Sequence, residues 1–378
     1  RSIVLCGMGF RAAVEVVVEA AGAGRPGKLE QGQGVRCSIP DRLLWGITVL
    51  TEEKRIMCLK RTIPALFAGL LLATPAFAQG TGRSLDIQPG ARENGMGAAG
   101  VALAEDASGM TWWNPAGLGF AQKPAVQLTY AQLVPGLATD VSYNYAAYVH
   151  PVEGWGAFGI GIIFLDYGSS TEVTPTGDEV GTFSSNEFSP ALFYGTRLLP
   201  DLSVGASVKY IRIQLAPSDL EGVGQTFGMD VAALYRIPAA RLRLGVNLQN
   251  MGPSVTFINE DESSPLSRNL RTGLAWEAFA RGGFSSVVVA DFNQSLVTED
   301  FRTYNGGLEL KYANSGGEGL GAIGVAGRVG YYHDELGEIK DLTYGIGLSW
   351  ARLSLDYGAV PQSTTLPHVD KISLGYRF

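Results

Sequence analysis

The sequence predicts an all-β chain, a transmembrane antiparallel β-barrel of about 14 strands closed around an N-terminal plug or hatch. Three observations predict it. Short segments alternate apolar and polar residues with period two, aromatic residues gather at the segment ends, and a complete export signal stands upstream of them.

The alternation is clearest in 241–250, RLRLGVNLQN. Leu242, Leu244, Val246 and Leu248 fall on one face, and Arg241, Arg243, Gly245, Asn247 and Gln249 on the other. Side chains that repeat every second residue share one face of a strand. The same pattern runs through 202–210, 342–350 and 372–378. It is less regular in 125–131, 140–150, 155–166, 187–198, 226–236, 268–276, 284–293, 302–312, 320–332 and 351–358. Most segments are near the roughly 9–11 residues that a tilted strand needs to cross a bilayer. Turn residues separate them, among them Pro200-Asp201, Pro238, Gly252-Pro253, 314–317 and 334–337. Longer polar linkers at 168–185, 215–224, 259–266 and 359–368 read as the loops of one rim.

Alternation also suits a water-soluble sandwich, whose apolar face meets a core. Three features favour lipid instead. The polar faces carry glycine and charge, as at Arg241, Arg243, Lys209, Glu309 and Lys311, which suits a wet lumen. Tyr130, Trp155, Tyr167, Tyr210, Tyr235, Trp276, Tyr331 and Trp350 stand at strand ends, where a membrane interface holds amphipathic rings. The chain also ends on a strand, 376-YRF-378. A closed barrel is the β form that satisfies every backbone group in lipid, and an even strand number places both chain ends on the periplasmic side.

Residues 57–80, MCLKRTIPALFAGLLLATPAFAQG, carry the export signal. Lys60 and Arg61 give the positive start, 63–73 the apolar core and Ala76-Phe77-Ala78 the small-x-small site, with cleavage expected after Ala78. The apolar core is shorter than the about 20 residues of a spanning helix. Residues 1–56 precede this signal and are read as a non-native upstream extension. The chain therefore divides into that extension, a signal peptide at 57–78, a plug segment at 79–123 and the barrel at 124–378. Of the 29 Lys/Arg and 36 Asp/Glu, ten and six fall in 1–78, which leaves 19 and 30 in the mature 300 residues, a net charge near −11. That balance excludes a nucleic-acid face, which needs cations for the phosphates. Cys6, Cys37 and Cys58 all precede the cut, so the exported chain relies on packing and backbone pairing rather than disulfides.

The segment 79–123 lacks strand alternation. Within it, 98-AAGVALAEDA-107 favours a short helix with Val101, Leu103 and Ala104 available for contact, and Asn114-Pro115 ends it in a turn. An open barrel of this strand number is wide enough to leak, and a compact plug would close it.

The run 90-GARENGMGAAGVALAEDASGMTWWNPAGLG-119 resembles the N-terminal signature of PorV/PorQ-type proteins, a branch of the FadL superfamily of outer-membrane barrels. The run 355-LDYGAVPQSTTLPHVDKISLGYRF-378 is similar to the last hairpin of the same branch, except that Val369 and Asp370 separate His368 from Lys371, where the branch usually has His beside a basic residue. The resemblance implies a 14-stranded barrel whose hatch is formed by 91–119. It implies one of two functions. PorV-like members act in protein export through the type IX system, receiving substrate proteins by their C-terminal domains and delivering them to a sortase. FadL-like members admit hydrophobic small molecules, which bind near the hatch and leave through the wall. The partners implied are outer-membrane lipid, with secreted substrate proteins and a sortase or with hydrophobic small molecules.

No catalytic, cofactor or metal site is expected. His150, His333 and His368 have no nucleophile in a recognisable local motif, and no Cys or His pair stands at metal-ligand spacing. The acidic residues 260-EDE-262 and Asp178-Glu179 read as solvated loop charges ahead of a cation site. Gly222-Val223-Gly224 precedes no helix and so is no phosphate loop; such glycines are expected to ease strand curvature. Trp112 and Trp113, with Asn114, Pro115 and Gly117 in the adjoining turn, read either as packing of the hatch against the wall or as a gate that touches an apolar ligand. Arg241 and Arg243 are expected in the lumen. There they pair with Asp230, Glu93, Glu105 or Asp106, or else bind an anionic head group.

Overall fold

The computed structural model describes residues 81–173, 176–177, 179–216, 222–257, 263–298, 301–314 and 322–378. The upstream extension, the signal peptide and its cut, Asp178, the acidic run 260–262 and the turn residues 315–317 lie outside the described residues.

Strand-forming segments appear where the alternation places them. They are β1 (Ala125–Gln132), β2 (Ser142–Val152), β3 (Gly156–Val173), β4 (Glu179–Leu199), β5 (Leu202–Gln214), β6 (Val223–Ile237) and β7 (Leu242–Met251). The second half holds β8 (Asn269–Arg281), β9 (Phe284–Ser295), β10 (Arg302–Ala313), β11 (Ile323–Asp334), β12 (Ile339–Trp350), β13 (Leu353–Val360) and β14 (Val369–Arg377). Each strand pairs antiparallel with its neighbours in sequence. β1 also pairs with β14, from Ala125 opposite Arg377 to Ala131 opposite Lys371, and the sheet closes into a barrel. Closure leaves no membrane-embedded edge with unpaired amides.

Burial decides which solvent the apolar face meets. Leu342, Ile346 and Trp350 of β12 are 57–58% exposed, whereas Thr343 between them is fully buried. The apolar side thus points out of the barrel all along the wall, which is favourable only in lipid. Trp155, Tyr235, Trp276 and Trp350 ring the rim where β14 ends, and Tyr130, Tyr304, Tyr331 and Tyr344 lie towards the other. Tyr167 differs from the expected girdle: the ladder is irregular between Asp166 and Ser169, and its hydroxyl donates to Glu187 at 2.7 Å. Among the described residues no helix is long and apolar enough to cross a membrane. The core lies inside the barrel, where Trp112, Trp113, Leu118, Tyr143 and Leu165 pack between plug and wall.

Three expectations are corrected. The linker 168–185 is largely strand, since β3 reaches Val173 and β4 starts at Glu179. Its residues are polar because the hairpin stands clear of the barrel with both faces exposed, so alternation is lost although pairing continues. The run 98–107 forms no helix. Ala98 and Ala104 take positive φ, and wall groups claim the backbone: Asp291 accepts from the amides of Gly100 at 2.7 Å and Val101 at 2.9 Å. Finally, the start of β1 and the end of β14 share one rim, as an even strand number requires, but the plug traverses the lumen. Thr81 therefore lies at the opposite rim, where its amide donates to the Pro265 carbonyl in the β7–β8 loop.

Candidate functional site

The plug runs from Thr81 to the start of β1 as a string of short turns: Arg83–Leu85, Ala91–Asn94, Gly109–Trp113 and Pro115–Phe120. Asn114 joins the last two. Its Oδ1 accepts from the Ala116 amide at 3.0 Å, which caps the turn that Pro115 begins, and its Nδ2 donates to the Val101 carbonyl at 2.8 Å. The two tryptophans pack edge to face with centroids 4.9 Å apart. Trp113 Nε1 donates to the Pro89 carbonyl at 3.0 Å, and the Arg271 guanidinium of β8 lies 4.8 Å over the Trp112 ring. From β7, Gln249 donates to the Trp112 carbonyl and Asn247 to the Trp113 carbonyl, at 2.8 and 2.9 Å. The pair is thus both the core of the plug and one of its attachments.

Glycine on the inner wall makes this approach possible. A Cβ on Gly205 of β5 would collide with the Pro115 carbonyl, on Gly307 of β10 with the Met96 carbonyl, on Gly330 of β11 with the Gly97 amide and on Gly358 of β13 with the Ala91 carbonyl. The glycines of the polar faces therefore form a seat for the plug backbone, rather than the wet lining expected from sequence. Gly117 serves the plug in the same way, as a Cβ there would meet the Ala104 methyl.

Polar side chains then latch the seated plug. One ionic chain runs Arg243–Glu105–Arg92–Glu309–Arg328–Asp356, with contacts of 2.5, 3.0, 2.7, 2.7 and 2.8 Å. Arg92 and Glu105 belong to the plug, the other four to the wall, and the three cations balance the three anions. Lys371 of β14 donates to the Gln88 carbonyl at 2.7 Å and to Asn94 Oδ1 at 2.9 Å. Thr343, Ser373 and Ser203 add bonds from β12, β14 and β5 to Gly97, Ala91 and Ala116. Burial acts to raise the Glu105 carboxyl, but Arg92 and Arg243 outweigh it and bring the group down to about 2. Glu93 is the contrary case. Both its carboxylate oxygens are buried without a hydrogen-bond partner among the described residues, and burial followed by the nearby Asp106 pushes its pKa well above the usual range.

Of the residues singled out in the sequence, Trp112, Trp113, Asn114, Pro115, Gly117, Glu105 and Arg243 converge here. Asp106 stays within the plug, accepting from the Gly109 amide at 2.7 Å and Ser108 Oγ at 3.0 Å. Asp230 pairs with Lys209 at 2.9 Å instead of with an arginine. Arg241 is corrected: it is not in the lumen but on the turn before β7 with φ 52°, 3.8 Å from Glu277. His150, His333 and His368 lie on β2, β11 and the β13–β14 loop and touch Tyr148, Tyr304 and the Leu342 carbonyl. No cluster of three or more metal-ligating side chains occurs among the described residues. The sequence placed Glu309 on a lumen-facing side without its partners and gave no sign of the roles of Arg92, Arg328, Asp291 and Lys371. Glu309 and Arg328 are direct cross-strand partners, a signal visible only once the β10–β11 register is known.

A separate groove of about 400 Å³ opens on the outer wall rather than at the tryptophans, lined by Leu128, Tyr130, Ala146, Phe164 and Leu374 among others.

A closed barrel with an apolar belt outside and a latched plug inside defines an integral outer-membrane protein. The family model of the type IX secretion system protein PorV matches residues 79–302, and the chain belongs to that family. It is thus an outer-membrane barrel associated with type IX secretion. No curated protein matches the chain. Solved structures similar to it include a Pseudomonas aeruginosa FadL homologue, at 12% identity and TM-score 0.47, covering 77% of this chain and 98% of that one. The Pseudomonas putida toluene transporter TodX is 13% identical with TM-score 0.45, covering 80% and 98%, and the CymD monoaromatic hydrocarbon channel 15% identical with TM-score 0.47, covering 77% and 97%.

Proposed function

We propose that the barrel is a non-enzymatic accessory of type IX secretion that receives exported substrate proteins at the rim opposite the end of β14 and passes them to a sortase. The observation that carries this reading is the family match over residues 79–302. The latched plug supports it, because a receiver working at its rim needs no open lumen. In this reading the signal peptide is removed after Ala78 and the receiving rim faces the outside of the cell.

Uptake of hydrophobic small molecules is the second reading, favoured by the apolar groove on the lipid side of the wall, beside which a molecule leaving sideways would pass. Transport through the lumen would have to move a plug held by the ionic chain and by the glycine seat. Purification from the native outer membrane in mild detergent, followed by mass spectrometry of everything retained, separates the two. Exported proteins sharing a C-terminal domain, or a sortase-like protease, are the expected companions. Recovery of only lipid or a small apolar compound would give the second reading precedence.

A further inference from the structure

The hairpin of β3 and β4 outruns its neighbours at the rim opposite the end of β14. β2 starts at Ser142, opposite Asp166, because the β1–β2 hairpin closes low: Leu133 bonds Val141, and Val134 and Gly136 take positive φ. Asp140 ends that side of the ladder by accepting the Ser169 amide at 3.3 Å. Beyond it, residues 169–173 pair with β4, from Ser169 opposite Ser184 to Val173 opposite Glu179. No described residue pairs with them on the β2 side. The consecutive residues Ser169, Ser170 and Thr171 are all exposed, as are Gly181, Thr182 and Ser184 across the ribbon.

Apart from the Ser169 amide, which Asp140 holds, this leaves a row of backbone groups about 17 Å long facing solvent. Natural edges of this kind are blunted by charges, proline or bulges; the stretch SSTEV at 169–173 has no lysine or proline, and its one charge, Glu172, stands beside the irregularity at Val173 and leaves 169–171 uncharged. Main-chain bonds supply affinity in strand addition and side-chain pockets supply specificity, so an edge whose residues 169–171 are Ser, Ser and Thr would accept strands of many sequences. A second copy of this chain is a poor occupant. Two barrels in one membrane share a direction, so their β3 edges could meet only in parallel, the weaker pairing, whereas a protein free in solution can approach antiparallel.

We propose that the free edge at 169–173 docks one extended strand of an exported protein, added antiparallel to β3. The proposal rests on the reading of this barrel as a receiver of such proteins. The test uses the barrel in lipid nanodiscs and the purified C-terminal domain of a type IX substrate from the same outer membrane. The unaltered barrel is compared with a variant that replaces 169–184 with an Asn-Gly turn joining Gly168 to Ser185, with folding checked by heat-modifiable gel mobility. On binding, amide exchange at 169–173 should slow about tenfold or more. The shortened hairpin should weaken binding about tenfold or more. Equal binding to both forms, without protection at 169–173, would overturn the edge site and leave the receiver reading standing. Binding to neither form would overturn both. Protection that appears without the domain and rises with barrel concentration would assign the edge to a second copy and also overturn the proposal.

Discussion

At the scale of single residues, each buried charge is stable only where it finds a partner. Glu309 joins Arg92 of the plug to Arg328 of the wall, and removing it would leave the three arginines of the chain with only two carboxylates, Glu105 and Asp356. Glu309→Ala is expected to destabilise the barrel by about 3–5 kcal/mol, measured as the urea midpoint of the folded gel band. Arg241→Ala, at an exposed pair, should change stability by less than about 0.5 kcal/mol in the same assay. Glu93 gives a pH signature. Its native carboxyl holds a proton more tightly than the unfolded chain does, so stability should fall as pH rises above the usual glutamate value of 4.5. Glu105 works in the opposite sense at lower pH, where stability is lost as pH falls from 4.5 towards about 2. Glu93→Gln keeps the shape without the proton. An unchanged slope above pH 5 or so in that variant would rule out Glu93 as its source. The sequence put Arg243 and Glu105 together, because both read as inward charges. It misplaced Arg241 by one residue, since the turn that gives it a positive φ starts at Pro238 and leaves it outside the ladder.

At the scale of elements, every alternating segment became a strand, because in a barrel wall each residue faces either lipid or lumen and the pattern is enforced throughout. Legibility failed where that enforcement stops. The hairpin beyond Asp166 has solvent on both faces, and the plug has walls on all sides, so neither imposes a period. The 98–107 run has the composition of a helix, yet Asp291 and Asn114 satisfy its backbone and the glycine seat draws it close. Two experiments address the plug as an element. Gly307→Val would force a side chain into the Met96 carbonyl, and the displaced plug should admit small sugars in a liposome-swelling assay that the native barrel passes slowly. Alanine at both Trp112 and Trp113 tests the gate reading directly. Unchanged permeability with a folded barrel would reduce the pair to packing.

At the scale of the whole molecule, the outside of the barrel meets lipid and the inside holds the plug, and the rim opposite the end of β14 is where the proposed partner would bind. The family match and the plug held to the wall by the ionic chain are what the proposed receiving role rests on. The central claim is that this barrel receives exported proteins, and the most direct measurement compares cells with and without its gene. Surface-exposed proteins are quantified by mass spectrometry, and uptake of a labelled apolar compound is followed in the same cells. The account predicts that a set of proteins sharing one C-terminal domain disappears from the surface and accumulates behind the outer membrane, with uptake unaltered. An unaltered surface proteome with impaired uptake would contradict it.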